Sequence, residues 1–557
     1  MRQGPAKGPF FFAAAPFTKG WFYATMAAWS RTCGQKGRVP METEEKRQQI
    51  PNSIGRAVFV ALSFLLQVGW ILGFALYLTR YYAVVQLAAS LLALLLVFSV
   101  YGRNMNSAFR LSWIIVILIF PVLGACLYLL FGQPVALWPL RRRFRSADRE
   151  LEPFRMAEVK AGQPQTEKLR RIYPALAGQV TYLQGTAGYP VYGNTDVRFY
   201  GDTNRALEAQ KEALRGAQHF IFMEYHAIED STAWQGLEEI LAERAAAGVD
   251  VRVFYDDVGS MGFISPPFAR RLRERGIQCR VFNPLVPAMN IIMNNRDHRK
   301  ITVVDGKIGF TGGYNLADEY FNLTHPYGRW KDSGLRLEGE AVRGLTLIFL
   351  QMWGATQKEP IDPAPFLKPA HSPNPSDAVV VPYADTPLDE EPVGENVYIN
   401  LINHADEYVY LTTPYLIISD EMQRALTLAA RRGVDVRIVT PGIPDKKMVF
   451  RVTRSHYARL AAHGVRIFEF TPGFVHAKQA VADGKAAVVG TINLDYRSLY
   501  LHFENACWFS GCDAVGDVKS DFEDLFTQSR EVTGQYRVRT VAVRGLDCLL
   551  RLFSPLM

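Results

Sequence analysis

The sequence predicts an α/β protein in which N-terminal transmembrane helices precede a duplicated α/β fold, with one site between its two repeats. Three observations carry that prediction. Uncharged apolar runs are confined to residues 57–131, strand-like and helical segments alternate beyond residue 150, and the same phrases recur in the same order in both halves of that region. The expected organisation is a disordered extension over 1–53, membrane helices over 54–132 and a first repeat over 150–358. A proline-rich linker over 359–392 and a second repeat with a C-terminal helix over 393–557 complete it.

The apolar runs come first. Residues 57–78, 82–101 and 111–131 contain no charged side chain. As helices, runs of about 20 residues reach about 30 Å, the thickness of a bilayer's hydrocarbon. A soluble core helix keeps a polar stripe, so three such runs within 75 residues read as membrane spans. Arg141, Arg142, Arg143, Arg145 and Arg149 follow the third run and place everything after it on the cytoplasmic side of a multi-pass cell-membrane protein. Arg103 and Arg110 pull the other way, which the short link at 79–82 resolves if the first two runs do not both cross fully. The opening MRQGPAKGPFFFAAAPFTKGW is broken by proline and lysine and fails as a signal-peptide core. Translation from Met41, or an extension without structure, is expected there.

Composition excludes several classes. A 49% hydrophobic, 21% charged chain of 557 residues is not a disordered or low-complexity chain. Six cysteines without a CxxC pair form neither a disulfide scaffold nor a structural zinc site. The formal charge of +8 is too small to imply nucleic acid by itself and suits an anionic membrane surface.

Beyond residue 150, strands are predicted at 219–223, 251–255 and 301–304, and helices at 233–247 and 267–275. GVDVRVF at 248–254 returns as GVDVRIV at 433–439, and ERGIQCRVF at 274–282 is echoed by AHGVRIFEF at 462–470. HRKITVVDGKIGFTGGYN at 298–315 is matched by HAKQAVADGKAAVVGTIN at 476–493. Coincidence explains one such match, not three in order.

The third match carries chemistry. His298, Lys300 and Asp305 stand at offsets 0, +2 and +7 with Asn315 at +17, and His476, Lys478, Asp483 and Asn493 repeat those offsets. Positions two apart on a strand share a face, so each histidine and its lysine point the same way. Asp-Gly at 305–306 and 483–484 predicts a two-residue hairpin turn, which sets the small Gly313 opposite His298 and Thr491 opposite His476. Each hairpin then offers an imidazole, an ammonium and an amide on one patch.

That set suits a phosphodiester. The lysines and asparagines stabilise the charge of a pentacoordinate transition state, one imidazole attacks phosphorus, and the other protonates the departing alcohol. Neither a metal nor a cofactor is required, because lysine neutralises the phosphate. Asp305 and Asp483 read equally as catalytic members and as turn formers. His219, His226, His325, His371, His404, His456, His463 and His502 lack such a context and read as surface or core residues. Lys446, Lys447, Arg451 and Arg454 form a basic run that is either a solvated face or a contact for an anionic headgroup.

These paired HxKxxxxD motifs, each followed by G-G/T-x-N, resemble the phospholipase D superfamily. Within it the chain is similar to the bacterial cardiolipin synthases over residues 55–557, through FMEYHAIEDS, YNLADEY, TTPYLIISDEM and the ending RLFSPLM. The resemblance implies two repeats forming one globule with the site between them, and an acidic residue beyond each motif that orients the histidine. Glu504 matches that position in the second half and Asp332 is the best match in the first, while Glu224, Tyr225 and Tyr415 match other positions near the pocket. It further implies transfer of a phosphatidyl group between two phosphatidylglycerol molecules through a phosphatidyl-histidine, giving cardiolipin and glycerol. Hydrolysis in the manner of phospholipase D, phosphatidylethanolamine as donor, nuclease activity and a non-enzymatic scaffold are the alternatives.

Overall fold

The alternation of apolar strands with amphipathic helices produces two sheets of one design. The computed structural model describes residues 82–132, 138–284, 295–357, 360–368, 377–536 and 541–556, with positions 65, 68, 69, 72 and 73. The expected extension over 1–53 and nearly all of the first apolar run lie outside the described residues.

The first repeat supplies β1 (Thr195–Tyr200), β2 (Phe220–Tyr225), β3 (Asp250–Asp256), β4 (Gln278–Phe282), β5 (Lys300–Val304), β6 (Ile308–Gly312), β7 (Arg329–Lys331) and β8 (Gly334–Gly339). The second supplies β9 (Val379–Asp385), β10 (Tyr408–Thr412), β11 (Asp435–Pro441), β12 (Arg466–Phe470), β13 (Gly473–Val475), β14 (Gln479–Ala482), β15 (Ala486–Gly490), β16 (Glu504–Ser510) and β17 (Ser529–Glu531). The sheet orders are β1-β8-β6-β5-β2-β3-β4 and β9-β16-β15-β14-β10-β11-β12-β17, so the halves match strand for strand apart from the added edge strand β17. In each, three parallel strands adjoin an antiparallel hairpin, and that hairpin holds the repeated motif.

One buried apolar cluster runs through both repeats, from Phe222, Phe254 and Val303 to Val481, Val489 and Phe509. The helix Val342–Ala355, buried along most of its length, lies within it. The short strands β7 and β13 pair in parallel across the repeats and bring the motif regions side by side.

Two expectations need correction. The stretch 359–392 is not all linker: proline-flanked residues 379–385 form β9, which pairs along its whole length with β16 and is buried throughout. Pro382 is tolerated because β9 is an edge strand. The third apolar run is broken into the helices Ser107–Ile119 and Pro121–Leu127 and a π-helical turn, Tyr128–Gly132. Proline at 121 cannot donate the helical hydrogen bond and displaces Phe120 from helical geometry, which ends the first piece. Over the fully described residues no helix is long and apolar enough to cross a membrane. The uncharged 20-residue helix Tyr82–Tyr101 comes nearest.

The helix Ser107–Ile119 is fastened to the second repeat. Asn106 caps it by accepting from the Ala108 N–H at 2.9 Å and donates to the Tyr500 hydroxyl at 2.8 Å. Phe109 meets Tyr496 and Tyr500 edge-on, and the Ser112 hydroxyl donates to the Leu552 carbonyl at 2.6 Å.

Candidate active site

The two motif hairpins close with three-residue connections, not the two expected. Val304 pairs with Ile308 and Ala482 with Ala486, which shifts the register by one. The cause lies in the turn. Asp305 and Gly306 have φ of 53° and 67°, Asp483 and Gly484 of 53° and 63°, and the N–H of Lys307 or Lys485 bonds back to the carbonyl of Val304 or Ala482. Gly313 and Thr491 therefore do not stand directly opposite the histidines.

The aspartates of the motifs do not reach the pocket. Asp305 accepts the backbone N–H groups of Gln218, His219 and Phe220 at 2.7–2.9 Å, and Asp483 accepts those of Asp406, Glu407 and Tyr408 at 2.9 Å. Burial pushes the Asp483 carboxyl up, but these donors and the Lys485 ammonium outweigh it and hold the group below its ordinary value. Their catalytic reading is corrected: each ties its hairpin to the start of the neighbouring parallel strand.

The histidines are held across the repeats. The backbone N–H of His298 bonds to the Phe503 carbonyl at 2.8 Å, and its Nδ1 donates to both oxygens of Glu504 at 2.9 Å. The N–H of His476 bonds to the Lys331 carbonyl at 2.7 Å, and its Nδ1 donates to Asp332 at 2.6 Å. Each acid thus serves the histidine of the opposite repeat, an exchange that no linear spacing displays. An Nδ1–H donated to a carboxylate fixes the tautomer and leaves Nε2 with its lone pair free.

Gly313 and Thr491 act on those acids. A Cβ at 313 would lie 2.1 Å from Asp332 Oδ1, so glycine there makes room for the carboxylate. The Thr491 hydroxyl donates to Glu504. Lys300 Nζ donates to the His298 carbonyl at 2.7 Å, and Lys478 Nζ lies 2.7 Å from His476 Nδ1, which can serve only one of its two partners at a time. Asn315 is engaged by Tyr320 at 2.8 Å and Ala227 at 3.2 Å, whereas Asn493 Oδ1 is buried with no partner among the described residues.

Burial dominates the electrostatics. It lowers Lys300 to about 8 and Lys478 to about 7, with Lys300 adding to the fall of Lys478. His476 drops to about 4 through burial and Lys478, although Asp332 opposes this. His298 falls well below its ordinary value through burial, then Lys300, His502, Lys478 and His476. The two histidines therefore lie close enough to depress one another, and both are neutral at pH 7.

The surroundings of the two rings differ. His476 lies among Tyr320, Trp330 and Phe474, with ring centroids 5.3, 5.3 and 6.0 Å away. His298 lies beside two more imidazoles, His226 at 4.9 Å and His502 at 5.6 Å. Neither was picked out in the sequence, although His502 stands two residues before Glu504, in the bend that leads into β16. His226 Nδ1 bonds to the Asp297 carbonyl at 2.7 Å, and His502 Nδ1 is 3.7 Å from Glu504. His298, His502 and Glu504 each bring one potential metal-ligating atom within 4.8 Å of the others. The ammonium groups of Lys300 and Lys478, which depress His298, oppose a cation there. Glu224 is buried near the Arg299 guanidinium at 3.9 Å, and Tyr225 bonds to Gln210 and Thr302. Tyr415 donates to Asp445.

A sequence model described as "Cardiolipin synthase, PLD-like domain" matches residues 211–353 and 398–526, and one described as "Phospholipase_D-nuclease N-terminal" matches 91–133. A cardiolipin synthase of Halalkalibacterium halodurans is 34% identical over 495 residues, 87% of this chain and 98% of its own. A Streptococcus mutans serotype c protein described as uncharacterized is 41% identical over 457 residues, 82% of this chain and 98% of its own. The crystal structure of phosphatidylserine synthase from Haemophilus influenzae Rd KW20 superposes with a TM-score of 0.50 at 13% identity, covering 68% of this chain and 98% of that one. That likeness shows the fold.

Two repeats of one topology, each with a His-x-Lys hairpin whose histidine is held by the other repeat's carboxylate, define an enzyme of the phospholipase D class. Within that class the relatives are specific. The chain belongs to the cardiolipin synthase family.

Proposed function

We propose that this enzyme transfers a phosphatidyl group from one phosphatidylglycerol to another, making cardiolipin and glycerol. The observation that carries the reading is the crossed pairing of each histidine with the other repeat's carboxylate, which supplies two imidazoles of set tautomer in one pocket. His298 Nε2 attacks phosphorus, the bond to glycerol oxygen breaks, and that oxygen takes a proton from the His476 imidazolium. A hydroxyl of the second phosphatidylglycerol then gives its proton to His476, its oxygen attacks phosphorus, and the P–N bond to His298 breaks.

The assignment of roles rests on the differing walls. Aromatic faces and the close Asp332 carboxylate favour a cation at His476, as its acid role requires. The cationic neighbours of His298 favour a neutral nucleophile. Lys300, Lys478 and Asn493 face the phosphate, whose negative charge raises the basicity of His476 when substrate binds. The apolar residues 57–132 hold the enzyme at a membrane, with the region from Trp138 onward on the cytoplasmic side. Leu87, Leu91, Leu95 and Phe98, all exposed on the helix Tyr82–Tyr101, support this.

Lipid analysis of a host without its own cardiolipin, after expression of this chain, tests the proposal. A cardiolipin band with release of glycerol is the expected result. His298→Asn and His476→Asn should each lower it at least 10³-fold. Phosphatidic acid alone would mean hydrolysis, release of ethanolamine another donor, and unchanged lipids would end the reading.

A further inference from the structure

Residues 331 and 332 grip His476 twice. The Lys331 carbonyl accepts from the backbone N–H groups of His476 and Ala477 at 2.7 and 3.2 Å, and the Asp332 carboxylate accepts from the ring at 2.6 Å. The imidazole is therefore placed no better than this end of β7, a strand of three residues paired with the equally short β13. Something beyond that pairing has to fix it.

The Lys331 side chain does so. Its Nζ donates to the Asp521 carboxylate at 2.6 Å and to the Gly201 carbonyl at 2.6 Å. Asp521 lies on the helix Asp513–Thr527 of the second repeat, and its other oxygen accepts from Gln479 at 2.7 Å, the residue after Lys478. The lysine and aspartate side chains are only 8% and 12% exposed. A Cβ at Gly201 would stand 2.3 Å from Asp521 Oδ1, so glycine there makes room for the carboxylate. One buried ion pair thus ties the strand that holds His476 to the hairpin that follows His476.

The other histidine is anchored differently. Phe503 precedes Glu504 as Lys331 precedes Asp332, and its carbonyl accepts from the His298 N–H at 2.8 Å. Its ring is fully buried, with centroids 5.6 and 5.5 Å from those of Phe144 and Phe282. An apolar anchor therefore suffices to hold the chain at this place. A buried ion pair carries a desolvation cost that apolar packing does not. What it adds is direction, because a charge-assisted hydrogen bond fixes distance and angle as an apolar contact does not. We propose that Lys331 and Asp521 are positioning residues, which set the His476 ring for proton transfer to the departing alcohol. This rests on the acid role of His476 proposed above.

Two phosphatidyl donors separate positioning from stability. Glycerol must be protonated as it leaves phosphatidylglycerol, whereas p-nitrophenolate leaves phosphatidyl-p-nitrophenol without an acid. In Asp521→Asn, glycerol release should slow about 10- to 100-fold. The first-turnover burst of p-nitrophenol should stay within about twofold of the parent rate. Should that variant fail to fold with Lys331 left buried and unpaired, Lys331→Met/Asp521→Leu removes both charges and must show the same selective loss at a melting temperature near the parent's. Equal slowing with both donors, or parental glycerol release from the double variant, overturns the proposal. A parent that gives the p-nitrophenol burst but releases no glycerol overturns phosphatidylglycerol as donor, and this inference with it.

Discussion

At the residue scale, the carboxylates that hold the two imidazoles decide the chemistry, and they decide it differently. Asp332 and Glu504 each fix an Nδ1–H, so replacing either by its amide permits the wrong tautomer while leaving the shape nearly unchanged. Asp332→Asn and Glu504→Gln should each lower kcat by about 10²- to 10⁴-fold, with melting temperatures near that of the parent. Gly313→Ala tests the same contact from the other side, because its new Cβ collides with Asp332. It should mimic Asp332→Asn in steady-state kinetics, and a fully active Gly313→Ala would mean that Asp332 is free to move. The lysines set the pH profile. Lys478 near 7 and Lys300 near 8 are charged below those values and neutral above. The phosphate needs the charged forms, so kcat/KM should fall as pH rises through 7–8. The motif residues were legible in the sequence because they recur at fixed offsets. His226 and His502 were not, because neither has a counterpart in the other repeat.

At the scale of the hairpin, the sequence reading was right about the element and wrong about its turn. Asp-Gly marks the position of the reversal, but both residues take left-handed backbone conformations and the connection lengthens by one residue. The repeated aspartate belongs to this scale too. It recurs at a fixed offset because three backbone N–H groups must be satisfied at the same place in each repeat. Asp483→Ala should cost about 2–3 kcal/mol of stability, the size expected for losing charge-assisted hydrogen bonds, with kcat per folded molecule largely kept. Because the Asp483 carboxyl is held below its ordinary value, this contribution is present above about pH 4. It disappears as pH falls through the lowered value. Thermal melts of parent and variant should therefore converge in acid. A variant that melts like the parent at pH 7 but has lost all turnover would return the aspartate to the catalytic set.

At the scale of the whole molecule, duplication was legible and its consequence was not. Three matched phrases foretold two equivalent sheets, which the strand orders display. The exchange of acids between repeats depends on how the sheets face each other through β7 and β13, and the sequence carries no local signal for that. The strand β9 was hidden for a different reason: it lies among prolines that elsewhere mark linkers, and only its edge position allows one inside it. The crossing also means that a half taken alone lacks the carboxylate of its own histidine, Glu504 for His298 and Asp332 for His476. The most direct measurement is peptide mapping, at neutral pH after a denaturant quench, of the covalent phosphatidyl-histidine during turnover. The expected result is an adduct on residue 298 alone, formed more slowly in Glu504→Gln and consumed more slowly in Asp332→Asn. An adduct on any other residue, or undisturbed formation in Glu504→Gln, would contradict it.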